Sequence, residues 1–436
     1  MQQPNKIKGI NSVQLARVNF APNKYMICVL LWMHATIAGA DGHDHFSGHE
    51  VLERSSSLEF ATVFEAALRN APEAHSIDSR QQQVEAYQQI GDRWITGRPS
   101  WELNYIGDSL LEKVGMREYE AGVQIDLWRR GERDDAKTLG DSYNERLEAW
   151  FDYIELLVAG RVRVTLADMT EADAMLELER AASVESERLL DVTRRLFEAG
   201  SVAQLDTLRV ESLLLDQQEA ELQAEARLID SERDFVQLTG LPARPDREYE
   251  ESLSVVDDIA ITHPTIWFLK TGIDLASARV ERVRHEANGN PSVSFGVRRE
   301  RGNNLLPYVD SLGVSVSVPF GGRAVVSAAV SDARTDKTEA EVVLLHTQRE
   351  LNAQLHEVEH QLFLVGESLE LGERQLEIDE QRHQMAILAF ENGEADLSQV
   401  IIAMQQASDS VKELKRLQLY RQRLVSEFNQ VTGVLP

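Results

Sequence analysis

The sequence predicts a mainly α-helical chain built twice, each copy carrying one pair of membrane-length β-strands. Three observations predict this. Matched landmarks recur at a nearly constant separation, long proline-free stretches are rich in helix formers, and four short stretches alternate apolar with polar residues. Pro72, Pro99 and Pro242 are answered by Pro264, Pro291 and Pro436, at spacings of 192, 192 and 194 residues. Phe197-Glu198-Ala199-Gly200 returns as Phe390-Glu391-Asn392-Gly393, and Phe235 to Gly240 returns as Phe428 to Gly433, both 193 residues on. Such even spacing leaves little room for insertions, so one long supersecondary unit is present in two copies.

The chain opens with Lys6, Lys8, Arg17 and Lys24, then an apolar run from Tyr25 to Ile37 and the small-residue end Ala38-Gly39-Ala40. That run is shorter than the ~20 residues needed to span a bilayer, and residues 1–40 read as a signal peptide, the alternative being an N-terminal membrane anchor. Cys28, the only cysteine, follows Ile27 rather than a small residue, which leaves neither a lipid-attachment site nor a disulfide framework. Residues 41–56 form a His-rich segment. His43, His45 and His49 stand among Asp41, Asp44 and Glu50, a donor set suited to zinc, copper, nickel or cobalt. It is either a weak metal site or simply a polar N-terminus. The net charge of -27, from 45 basic and 72 acidic side chains, opposes binding to a phosphate backbone, so nucleic acid is excluded as a partner.

The first repeat is assigned to residues 57–245, with strands at about 99–109 and 117–128. Trp101, Leu103 and Tyr105 alternate with Glu102 and Asn104, and Tyr119, Ala121, Val123 and Ile125 alternate with Glu118, Glu120, Gln124 and Asp126. From Glu132 to Phe197 there is no proline and little glycine, which predicts one helix of roughly 100 Å at 1.5 Å per residue. After Gly200 a returning helix carries Leu208, Leu215, Leu222, Ile229 and Val236 at every seventh position, a row that favours packing against neighbouring helices. An acidic linker, 246–261, leads to the second repeat, 262–436. Its strands fall at about 291–301 and 311–320: Val293, Phe295 and Val297, then Leu312, Val314, Val316 and Val318, with serines and Arg298 between them.

Helices alone would fit a soluble coiled-coil rod. The strands argue otherwise, because their length matches a tilted crossing of an outer-membrane hydrocarbon layer and their aromatics lie near strand ends. Four strands cannot close a barrel, yet lipid cannot satisfy an open sheet edge. Several copies must therefore pool their strands, unless the sheet is a soluble one with its apolar face on a helix.

One catalytic motif is present in letters. His356-Glu357-Val358-Glu359-His360 matches the zinc-protease pattern. A third ligand such as Glu377 or Glu380 would lie ~30 Å along the same helix, so the segment is expected to be a charged helix face. No enzymatic activity and no cofactor is expected.

The order helix, strand pair, very long helix, glycine turn and returning helix, repeated twice, resembles the TolC family of outer-membrane efflux channels. The words that carry the resemblance are Asn70-Ala71-Pro72 and Thr262-His263-Pro264, Asn290-Pro291-Ser292, Val318-Pro319-Phe320-Gly321-Gly322 and the two Phe-Glu-x-Gly turns. Leu127-Trp128-Arg129-Arg130-Gly131 departs from the Pro-Phe-Gly-Gly form of its twin. The resemblance covers about Ser57 to Pro436 and is nearest to the cobalt, zinc and cadmium efflux branch. It implies a homotrimer sharing one barrel in outer-membrane lipid above a helical periplasmic tunnel, fed by a periplasmic adaptor (membrane fusion protein) and an inner-membrane RND-type pump. It also implies adaptor docking at Ala199, Gly200, Ser201, Leu205, Asn392, Gly393 and Leu397, unless these are merely hairpin turns. Asp206, Glu394 and Asp396 are candidates for a carboxylate ring at the periplasmic pore mouth, or for solvated helix ends. The rival functions are a periplasmic coiled-coil adaptor or scaffold, and a channel for drugs or secreted protein.

Overall fold

The computed structural model describes residues 51–108, 110, 114–256 and 258–435. Residues 1–40, expected to be a signal peptide, and the His43, His45 and His49 segment lie outside the described residues. In chain order the elements are β1 (Glu53–Ser55), α1 (Phe60–Asn70), a 3-10 turn (Pro72–Ser76), α2 (Ile77–Asp92), β2 (Ser100–Gly107), β3 (Arg117–Asp126), α3 (Glu132–Glu198) and α4 (Gln204–Thr239). There follow β4 (Ala243–Pro245), α5 (Pro264–Asn288), β5 (Ser292–Arg301), β6 (Val309–Ser317), α6 (Arg323–Glu391) and α7 (Leu397–Val431). α2, β2, β3, α3 and α4 are thus matched by α5, β5, β6, α6 and α7.

The two long helices run 67 and 69 residues, about 100 Å each. No described helix is long and apolar enough to cross a membrane. Helix–helix neighbours define a slab one helix thick. Near the sheet α3 packs on α2 and α5, and α5 on α6; farther along, α3 packs on α4 and α7, and α7 on α6. α3 is therefore central and α6 lies at an edge. Burial agrees, with 24 buried residues in α3 and only 5 in α6, although the two helices are matched copies of nearly equal length.

The main core joins Trp150, Ile154, Val158 and Val162 of α3 with Leu228 and Phe235 of α4 and Val63 of α1. A second cluster holds α6 to α7 through Leu355, Val358, Leu424 and Phe428. The seven-residue row of α4 is not in either core: Leu208, Leu215 and Leu222 are exposed, and Val210, Leu213, Ala224 and Leu228 make the contacts with α3 instead. The row's spacing is right for packing, but among the described residues no helix covers that side of α4.

Polar ties cross the slab. Lys412 of α7 places Nζ 2.7 Å from Glu179 of α3, both side chains nearly buried. Arg163, buried in α3, bonds Glu251 of the linker at 3.0 Å, Gln430 at 2.7 Å and the Val434 carbonyl at 3.0 Å. The acidic linker is thereby fastened along the slab. β1 pairs in parallel with β4, adding a clasp that the sequence reading did not include.

Candidate functional site

The sheet has the order β2-β3-β5-β6, antiparallel throughout, and its two outer strands have free edges. Its register sorts the side chains into two chemistries. On one face the rows read Trp101-Val123-Phe295-Val314 and Leu103-Ala121-Val297-Leu312, with Ile125, Val293 and Val316 nearer the helices. Most of these side chains are exposed. A continuous apolar face left in the open on a sheet is the arrangement lipid stabilises and water does not.

The opposite face carries Glu102, Glu118, Glu120, Asp126 and Glu300, with Asn104, Gln124 and serines between them. Arg298 bridges this cluster, 2.7 Å from both Glu118 and Glu300 and 3.6 Å from Glu120. One cation among five carboxylates leaves the face acidic. Gly122, Gly296 and Gly313 form a row across it. A Cβ at Gly122 or Gly296 would meet a carbonyl oxygen of the neighbouring strand at 3.1 or 3.0 Å. The row lets adjacent strands curl toward this face, as a barrel wall requires.

Where the sheet passes into the helices, the sequence departure at Arg129 has a purpose. Its guanidinium donates to the carbonyls of Gly289, Asn288 and Pro319, joining the first junction to the second copy. Glu132, 1% exposed, accepts from the Arg129 backbone N–H at 2.8 Å and from Asn290 at 3.0 Å. Neither role was visible in the sequence, because the Arg129 acceptors and the Asn290 amide come from the other repeat.

At the far end the two hairpin tips are near copies. Gly200 and Gly393 adopt positive φ of 74° and 77°. Ser201 N–H donates to the Leu196 carbonyl and Glu394 N–H to the Ala389 carbonyl, each at 2.8 Å, closing the same helix-ending motif twice. Ala199, Gly200, Ser201, Leu205, Asn392 and Gly393 are all exposed, as a docking edge needs. Leu397 is not. At 3% exposure it packs with Leu190, Val210 and Val400, so it supports the tip from beneath. Between the tips lies a groove of about 1110 Å³, lined by Leu196, Val202, Phe390, Ala395 and Val400 among others.

The three acidic candidates have different duties. Asp396 caps α7, accepting from Gln399 N–H at 3.0 Å. The matching position in the first copy is Ala203, which has no capping group; there Asp206 reaches back to the Ala203 N–H at 3.2 Å. The two halves of a capping box are shared out between the repeats. Asp206 also pairs with Arg209 at 3.3 Å, and Arg209 bonds Ser398 across the groove. Glu394 alone is exposed with no partner among the described residues.

His356 and His360 are exposed on the uninterrupted α6, and among the described residues no group of three metal-ligating side chains is brought together.

Residues 116–241, from β3 to the end of the first hairpin, match the outer membrane efflux protein family. No curated protein gives a significant match to the sequence. Among solved structures, CusC superposes with a TM-score of 0.70 at 13% identity, covering 88% of this chain and 93% of CusC. The CmeC outer membrane channel of Campylobacter jejuni gives 0.67 at 14% identity, covering 86% of this chain and 85% of that one. VceC, an outer membrane protein of Vibrio cholerae, gives 0.67 at 14%, covering 86% and 96%. The chain has the fold of a TolC-like outer-membrane efflux channel. With the family match, this puts the sheet in the outer membrane and the helical part in the periplasm, and makes the chain a channel component rather than an enzyme.

Proposed function

We propose that three copies of the chain form the outer-membrane duct of a tripartite efflux system, and that its cargo is divalent heavy-metal cations. The observation that carries the assembly is the sheet's pair of free edges beside an exposed apolar face. Joining β6 of one copy to β2 of the next keeps the alternation antiparallel and removes every edge. The same rotation brings the exposed side of α6, with Phe363, Leu364 and Leu371, toward the exposed leucine row of α4 in the next copy. Three copies give twelve strands, enough for a barrel with an open lumen.

In this assembly the acidic sheet face lines the bore. Fifteen carboxylates against three arginines favour cations in transit and disfavour anions. The tips would receive a periplasmic adaptor at Ala199, Gly200, Ser201 and Leu205 and at Asn392 and Gly393, with an inner-membrane RND-type pump supplying the energy. Glu394, repeated three times around the axis, is the carboxylate left to narrow the mouth; Asp206 and Asp396 are first of all helix caps. Deleting the gene and growing the strain on zinc, cobalt, cadmium and copper tests the cargo. Lost tolerance to at least one, restored by the intact gene, supports metal export. Unchanged tolerance to all four, with lost tolerance to drugs, would transfer the duct to another cargo.

A further inference from the structure

The apolar face of the sheet does not simply fade out at its outer end. Beyond the Leu103-Ala121-Val297-Leu312 row the register places Tyr105, Tyr119, Arg299 and Asp310, and one step farther Gly107, Arg117 and Arg301, with Tyr308 just before β6. All share the strand parity of the lipid-facing residues. The Tyr105 and Tyr119 rings lie 5.1 Å apart and Tyr119 and Tyr308 6.5 Å apart. Arg299 and Arg301 stack on Tyr308 at 5.3 and 4.9 Å, and Arg117 sits against the same tyrosines. Tyrosine rings hold the guanidinium planes, which reduces the freedom lost on binding.

The charge is unusual for its setting. This chain has a net charge of -27 and lines the opposite face with carboxylates, yet it puts three arginines and one Asp on this belt. Arg301 is committed to the loops, donating to the Gly115 carbonyl at 3.2 Å and to Asn304 at 3.0 Å. Arg299 pairs loosely with Asp310, 3.3 Å apart with both side chains well exposed. Arg117 is exposed and, among the described residues, has tyrosines rather than a carboxylate beside it. The helices leave from the other end of the strands, so the belt lies at the outer leaflet.

We propose that Arg117 and Arg299, framed by Tyr105, Tyr119 and Tyr308, form a docking belt for the phosphates of the outer-leaflet glycolipid. The planar forked donors of arginine fit phosphate oxygens, and the phenol rings suit the boundary between acyl chains and headgroups. The inference rests on the outer-membrane placement of the sheet.

The test uses the purified full-length assembly in mild detergent, titrated with diphosphorylated lipid A and, separately, with its dephosphorylated form, with bound lipid counted by native mass spectrometry. Wild type is expected to prefer the diphosphorylated form. R117Q/R299Q is expected to weaken that binding about 25-fold, at roughly fivefold per arginine, with R247Q on the periplasmic linker weakening it no more than twofold. If the double variant does not assemble, R117Q alone, which breaks no ion pair among the described residues, is expected to lose about fivefold. Equal binding of both lipid forms, or undiminished binding by the variants, overturns the belt. Absence of wild type from the outer-membrane fraction instead overturns the placement on which it rests.

Discussion

The leucine row of α4 gives the sharpest test of the assembly, because the same substitutions should be nearly silent in one chain and severe in three. Leu215 and Leu222 are 61% and 66% exposed. Fully burying a leucine is worth about 2.5 kcal/mol, so covering the exposed part of each contributes roughly 1.5 kcal/mol. Two residues in each of three copies come to about 9 kcal/mol, or about six powers of ten in the assembly constant. In L215A/L222A the isolated hairpin should change little, since exposed sites tolerate substitution and alanine is a good helix former. The assay is the fraction of trimer surviving heating in mild detergent on a gel, beside circular dichroism for helix content. We expect trimer loss at much lower temperature with helicity unchanged. L213A, at a residue buried against α3, should instead lower the stability of the hairpin itself by about 2–5 kcal/mol. A double alanine variant whose trimer is as heat-resistant as wild type would refute the seam.

Lys412→Met should destabilise the slab by about 3–5 kcal/mol in urea unfolding, because Glu179 is left buried without its partner, whereas E179L/K412M should recover most of the loss. His263 caps α5 through a bond from Thr265 N–H, and burial lowers its pKa below the ordinary 6.5, with a bond to Val431 pulling weakly the other way. The unfolded chain then holds more protons than the folded one just below pH 6.5, so stability should fall as pH drops through that range; melting curves of wild type and H263N should diverge there, the variant being flatter. Glu394→Gln should reduce cation preference in the reversal potential of a planar bilayer under a salt gradient, while Asp206→Ala should chiefly fray the start of α4, by about 1 kcal/mol. Gly296→Val should lower the heat resistance of the trimer, since a Cβ there meets a carbonyl oxygen of β3 at 3.0 Å and pushes the strands apart.

What could be read in the sequence was whatever a single element states about itself. Proline-free length gave α3 and α6, period-two alternation gave both faces of the sheet, and paired Phe-Glu-x-Gly words gave the tips. What could not be read depends on which copy of an element meets which partner. The α4 row has correct spacing for a core yet faces outward, because spacing identifies a stripe and not its occupant. Leu397 looked like a tip residue by position; its place on the inward side of α7 follows from the helix phase set by the Asp396 cap. Asp206 and Asp396 looked alike as mouth carboxylates, and only the missing cap at Ala203 explains why both are needed. The three-residue strands β1 and β4 are too short to show any alternation.

The unequal burial of α3 and α6 reaches into how such a molecule is made. Twins by ancestry, the two rods mature on different schedules in the proposed trimer: the first finds nearly all its neighbours within its own polypeptide, while the second stays wet along one flank until another subunit arrives. In the proposed trimer a single chain can therefore complete the packing of α3 by itself but must keep the outer flank of α6 soluble while it waits. Damage to the earlier rod should show up as a failure of folding, and damage to the later one as a failure of recruitment.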